Sequence, residues 1–276
     1  MKNKLIFEFS KNKSDGDSSL DDLLGGKGAN LAEMSNMGIP VPPGFTITTE
    51  VCNYFTENKK LPNNLHNETK KAVNNLESIS DKRFGGAGTP LLLSVRSGGK
   101  VSMPGMMDSV LNIGLNDSNV SQLAKAFNDE RFALDSYRRL IQMYSNVVLG
   151  VEHERFEAVL ANKKRMDNID SDADFNVDQL NWIINAFKNT VERFTDSLFP
   201  QEPYEQLTGA IEAVFNSWQN KRAITYRKIN NIPDTLGTGA TIQTMVFGNL
   251  NDKSGTGVAF TRNPSNGDKE LSLIHI

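Results

Sequence analysis

The stretch LLLSVRSGGKVSMPGMMDSVLNIGLND, Leu91 to Asp117, decides how this chain is read. Its first half, LLLSVRS, is an apolar run short enough to be a buried strand. Arg96 stands at the end of that run, where ligand contacts are common in α/β folds. A Gly pair, Lys100 and then Met103-Pro104-Gly105-Met106-Met107-Asp108 follow. The planar fork of an arginine suits a phosphate. A glycine-containing loop can close over one, with Met103, Met106 and Met107 as an adaptable apolar lining. The bland alternative is an ion-paired arginine and methionines that fill core gaps. Arg, Gly-Gly and Pro-Gly in one loop favour the functional reading. Asp108 is expected to cap a following helix.

Upstream, Leu5–Phe9 reads as a first strand and KNKSDGDSSLDD as a polar loop. GGKGANLAEMSNMGIPVPPGF then gives loop, helix and stop. Gly25 and Gly26 make the loop, Ala29 to Met34 favour helix, Gly38 caps it and Pro40 prevents continuation. A lysine among glycines at a helix start is a candidate anion site, because unpaired N–H groups and the helix dipole point there. Lys27 would add a full charge. The spacing is not that of a Walker A loop, and this segment alone is slightly better served by a Gly-rich turn with a solvated lysine. GFTITTEVC reads as strand then helix, and LPNNLHNETKKAVNNLESIS as a short surface helix.

Downstream, the pattern from Ser118 to about Trp218 is helical. RFALDSYRRLIQMYSNVVLGV puts Phe132, Tyr137, Leu140, Ile141, Tyr144 and Val148 at helical spacings. Leu180, Ile183, Ile184, Phe187, Val191 and Phe194 form a second stripe. Arg131, Arg138 and Arg139 read as a solvated helix face, or less simply as a docking surface for another domain. Strand signals return in ATIQTMVFGN and GTGVAFTRNP, separated by the turn-rich LNDKSG, which predicts a hairpin. Gln243, Met245 and Val246 would then sit at a hinge between two lobes, with main-chain groups placed for an adenine edge. A plain buried strand is the alternative.

Bulk properties exclude several classes. The chain has 276 residues, 38% hydrophobic and 23% charged, as in ordinary globular proteins. A net charge of −3 argues against a general nucleic-acid or membrane-surface binder. No stretch approaches the roughly 20 apolar residues of a membrane span, and the N-terminus is not a signal peptide. A cytoplasmic location is expected. Cys52 is the single cysteine, so no intramolecular disulfide can form. Three scattered histidines give no zinc spacing, and no arrangement suggests a nucleophilic triad.

Three segments in this order, LLGGKGANLAEMSNMGIPVPPGFTITTEVC, LSVRSGGKVSMPGMMDSVLNIGLND and QTMVFGNLNDKSGTGVAFTRNP, resemble the N-terminal nucleotide-binding domain of the pyruvate phosphate dikinases. The resemblance covers Leu5 to about Lys269. One departure is Gly99-Lys100, where that family commonly has Ala-Arg. The SMPGMMD-type loop separates the family from the phosphoenolpyruvate synthases, which carry an RSSA-type sequence after the arginine and are the alternative enzymatic reading. A non-catalytic nucleotide-binding fragment is the other alternative.

The resemblance implies an α+β, ATP-grasp-like but incomplete nucleotide-binding domain with a helical insertion. Its expected parts are a first lobe over 1–117, a helical subdomain over 118–220, the start of a second lobe over 221–270 with adenine hinge and hairpin, and a tail over 271–276 unlike the family. It implies ATP as ligand, with Lys27 and Arg96 on the phosphates. Ser102, Met103, Pro104, Gly105, Met106 and Met107 become the loop above them, and Gln243, Met245 and Val246 the adenine hinge. It also implies the reaction of ATP, pyruvate and phosphate to AMP, phosphoenolpyruvate and diphosphate, through a phosphohistidine on a swivelling domain not expected within this chain. Mg2+ is the implied cofactor, its ligands expected beyond residue 276, and a homodimer the expected assembly of the longer enzyme. The ending ELSLIHI reads as a truncated or chimeric terminus, so His275 is not expected to be the phosphorylated histidine, and the fragment is expected to be inactive alone.

Overall fold

A computed structural model describes residues 4–11 and 13–275 of the chain. They fall into two units that divide between Met245 and Val246. The first is built on a sheet of β1 (Ile6–Ser10), β2 (Lys13–Ser14), β3 (Gly44–Ile47), β4 (Leu93–Gly98), β5 (Ser109–Ile113) and β6 (Gly239–Thr244). The order is β2-β1-β3-β6-β4-β5, and every described pairing is antiparallel. β6 is buried along its whole length, as a strand with neighbours on both sides must be. Its β-branched residues suit that position, and the Thr241 hydroxyl meets that of Thr46 on β3 at 3.3 Å, which satisfies both. Phe45, Ile47, Leu93, Val95, Val110, Ile113 and Ile242 are the sheet's share of the core.

α1 (Asp21–Asn36), α2 (Thr49–Asn58) and α8 (Pro203–Ser217) pack against this sheet, and α3 (Leu65–Ser80) against β1. Between β5 and β6 the described elements are α4 (Val120–Phe127), α5 (Glu130–Val147), α6 (His153–Asp167), α7 (Val177–Thr195), α8, α9 (Lys221–Ile229) and two 3-10 turns. Local signals set their ends. Asp129 accepts from the Phe132 N–H at 2.8 Å, and Asn176 with Gln179 forms a capping box at the start of α7. Gly38 ends α1. α5 packs against α7, with Leu140 and Ile141 on the first and Ile183 and Phe187 on the second all buried, and Phe187 meets Phe156 of α6 edge-on at 4.9 Å.

Several expectations need correction. Ser109–Ile113 is a strand, and no helix follows Asp108, which instead pairs with Arg222 on α9. Val110 and Ile113 suit the strand, and the loop before it turns the chain back beside β4. A register shift opposite Leu93 and Val95 is a bulge. Asn112 takes it up at φ 61°, and its Nδ2 donates to Ser136 O of α5 at 3.1 Å. The first unit runs to Met245 and includes the helical region. The predicted β6–β7 hairpin does not form, because both edges of β6 are already taken by β3 and β4. In the second unit, Val246–Ile276, β7 (Gly257–Phe260) pairs instead with β8 (Ser272–His275), which falls in the tail segment.

Two side-chain readings also change. Phe194 is 48% exposed rather than part of the buried stripe, and the guanidinium of Arg155 lies over its ring at 4.9 Å. Arg138 is 3% exposed rather than solvated. Its Nε and Nη2 donate to Asp135 Oδ1 at 2.9 and 2.7 Å, while Arg139 Nε donates to Oδ2 at 2.7 Å. Burial alone would raise the Asp135 carboxyl; the two arginine charges outweigh it and hold it below the usual range. Arg131 donates to the carbonyls of Asp172 and Phe175, so it joins α5 to the turn before α7.

Candidate functional site

The site starts from a break in α1. Gly25 has φ 67° and ψ 162°, and the helix restarts at Gly26. The break brings α1 against the end of β4 so closely that a Cβ on Gly25 would lie 1.6 Å from Gly98 O. Gly26 N donates to Gly99 O at 3.0 Å, and Gly98 N donates to Thr238 Oγ1 at 3.1 Å. Two residues past the break, Lys27 Nζ donates to Ser97 O at 2.5 Å. Burial, and after it the neighbouring charge of Arg96, push the Lys27 ammonium down to about 8.

Residues 97–105 and Met107 form the other wall. With Gly26, Lys27, Asn30, Leu31 and Met34 of α1 they enclose a cleft of about 640 Å³. Ser102, Met103, Pro104, Gly105 and Met107 all line it, and Met103 is only 6% exposed. Lys100 lines it too, and its Nζ lies 2.8 Å from Asp22 Oδ1 and 3.3 Å from Asp21 Oδ1 in the first turn of α1. The far shoulder of the loop is fixed to α9 and its cap. Asn220 Nδ2 and Arg222 Nε each donate to Met106 O at 3.1 Å, and Arg222 pairs with Asp108. Under the near shoulder lies Trp218, with Cζ3 3.5 Å from where a Gly99 Cβ would be. The Arg227 guanidinium stacks on it, 4.1 Å from the ring centroid.

Lys27 and five of the six loop residues singled out from sequence therefore share one cleft. Met106 faces away from it, against Arg222 and Ile229. Arg96 is exposed in mid-strand, close enough to Lys27 to act on its charge but not part of the cleft wall. Gln243 and Met245 lie elsewhere. Gln243 Nε2 donates to Pro42 O at 2.9 Å, and Met245 N donates to Leu92 O at 2.9 Å, at the end of β6 opposite Gly239. Gly239 is the residue packed against Leu24 and the break. Six residues of strand separate the two ends, about 20 Å. Val246 is 70% exposed and opens the second unit. Sequence reasoning missed Asp21, Asp22, Asn220 and Arg222. Their roles depend on partners about 80 to 115 residues away, which no local pattern signals.

Chemically, the cleft offers a partly buried ammonium at the start of a helix, a second lysine and a covering loop of small and adaptable residues. That combination suits an anion with an extended body. A family described as "Pyruvate phosphate dikinase, AMP/ATP-binding domain" matches residues 21–84 and 74–276. The chain belongs to this family. It is 52% identical over 269 residues to the pyruvate, phosphate dikinase of Rickettsia conorii, 50% over 269 to that of Rhizobium meliloti and 48% over 270 to that of Clostridium symbiosum. Each comparison covers 97% of this chain and 30% of the relative, so the chain spans about three tenths of the length of these dikinases. Among the described residues no three His, Cys, Asp or Glu side chains come together to hold a metal, so none is assigned to Mg2+. Among them, too, no helix is long and apolar enough to cross a membrane.

Proposed function

We propose that this chain is the ATP-binding portion of a pyruvate, phosphate dikinase, with an ATP-grasp-like fold. The longer enzyme would convert ATP, pyruvate and phosphate to AMP, phosphoenolpyruvate and diphosphate, through a phosphohistidine carried on a further domain. The observation that carries the reading is Lys27, two residues past the break in α1 and facing the 97–105 loop across one cleft, in a chain of this family. Lys27 and Arg96 supply charge to the polyphosphate. Ser102 to Met107 cover it and exclude water. Gln243, Met245 and Val246, where the chain leaves the sheet, meet the adenine edge. Fixed positive charge around a transferring phosphoryl group is most of the catalysis in such reactions. Mg2+, when bound, would add positive charge against the phosphates; no described residue is assigned to it.

The test is calorimetric titration of ATP with magnesium into the purified chain. Lys27→Ala and Arg96→Ala are each expected to weaken binding at least tenfold, about 1.4 kcal/mol. Equal affinity in wild type and both variants would overturn the assignment of these residues. A folded chain that binds no ATP would overturn the claim that this portion binds nucleotide by itself.

A further inference from the structure

The cleft holds a second cation whose partners stand out. Lys100 lines the same cleft as Lys27, yet its charge is directed at Asp21 and Asp22. These carboxylates belong to the first turn of α1, before the break, while Gly26 and Lys27 belong to the turn after it. The two halves of one kinked helix therefore compete for one loop. The acidic half holds Lys100, and the glycine half takes loop carbonyls at Gly26 N and Lys27 Nζ.

All three side chains of the ion pair are part-exposed. Such exposed pairs are weak and are screened by salt, so a stronger anion can displace them. The loop is free to respond on that side only, because its far shoulder is tied through Met106 O and Asp108 to Asn220 and Arg222. Among the described residues no comparable anchor reaches Ser102, Pro104 or Gly105, which are exposed at the crest.

Building on the ATP-binding reading, we infer that Lys100 is a further phosphate-binding residue, and that it exchanges Asp21 and Asp22 for the polyphosphate when nucleotide enters. The acidic pair is then a latch that sets how readily the loop opens. It holds the loop against α1 and keeps Lys100 from attracting stray anions. It yields to a ligand that carries several negative charges, and a single phosphate would shift it less. This deepens the proposed role of the cleft and selects for extended polyphosphates.

The experiment compares Asp21→Asn/Asp22→Asn and Lys100→Met with wild type, in hydrogen exchange of the 99–108 amides and in ATP titration. Both changes break the pair, so both should speed exchange in the free protein about two- to fivefold. Their effects on ATP are opposite in sign. The double Asn variant should bind two- to fivefold tighter, because Lys100 is released. Lys100→Met should bind at least threefold weaker, because the phosphate contact is lost. A merely structural pair would weaken both variants alike, and that result overturns the inference. So would exchange rates unchanged in both variants. If wild type binds no ATP, the ATP reading and the partner exchange fall together, while faster exchange in the variants would still establish the latch as a restraint on the loop.

Discussion

Replacing Gly25 with alanine should be among the most damaging single-methyl changes in the molecule. Two costs add. The backbone at φ 67°, ψ 162° lies in a region that is essentially glycine-only, and holding another residue there costs about 1–3 kcal/mol. The new Cβ would also sit 1.6 Å from Gly98 O and 2.6 Å from Gly98 C. These are backbone atoms of a strand already bonded to Thr238 and paired with Gly239. They cannot swing aside like a side chain, so overpacking adds about 1–3 kcal/mol more. A total near 4 kcal/mol corresponds to a fall in melting temperature of about 8–16 °C for a unit of this size. Gly105→Ala is the matched control. Its φ of 72° has the same hand, but nothing lies within 4 Å of the added methyl. It should cost only about 1 kcal/mol and 2–4 °C. Thermal denaturation followed by circular dichroism measures both. The reasoning fails if Gly25→Ala melts within about 3 °C of wild type, or no lower than Gly105→Ala.

Lys27 is held at about 8, so ATP affinity should fall as pH rises from 7 to 9, and Lys27→Met should flatten that profile; a flat wild-type profile would count against a charged Lys27 on the phosphates. The same depressed ammonium has the opposite effect on folding: between about pH 8 and the ordinary lysine value the unfolded chain keeps a proton the folded chain has released, so this group makes stability rise with pH. Asp135→Asn leaves the buried Arg138 with only the longer 3.7 Å contact to the Asp172 carboxylate, and should lower stability by about 3 kcal/mol in urea denaturation. Cys52 is fully buried, and burial pushes its thiol up to about 11. It should react with a disulfide reagent only as fast as the protein unfolds, and rapid stoichiometric labelling of native protein would contradict its placement.

What the sequence made legible was whatever is written locally. Gly38 with Pro40 marked the end of α1, the apolar run marked β4, and the 3.6-residue stripes marked α5 and α7. The grouping of Lys27 with the Ser102–Met107 loop was readable because both carry glycine and charge in patterns that have a chemical purpose. Elsewhere a local pattern admitted two outcomes and distant packing chose. SVLNI is strand because the chain must return beside Leu93–Gly98. Arg138 looks like a surface residue until Asp135, one turn earlier, is seen to bury with it. Phe194 continues the α7 stripe, but it stays half-exposed near the end of that helix, covered only in part by Arg155. The place of Gly239–Thr244 was the least legible, since a strand's partners leave no mark on its own residues.

That strand has a consequence for how the protein is made. β3 and β4 do not pair with each other; the six residues of β6 are the only described ladder between them. Until residue 244 leaves the ribosome, the nascent chain therefore holds two half-sheets, each with a bare inner edge. Closing them needs contacts that span some 150 to 200 residues, and such closures are slow. Unpaired inner edges are also where a growing chain meets its neighbours on a polysome. The first unit should behave as a late-locking structure, in which the last strand synthesised makes the sheet whole.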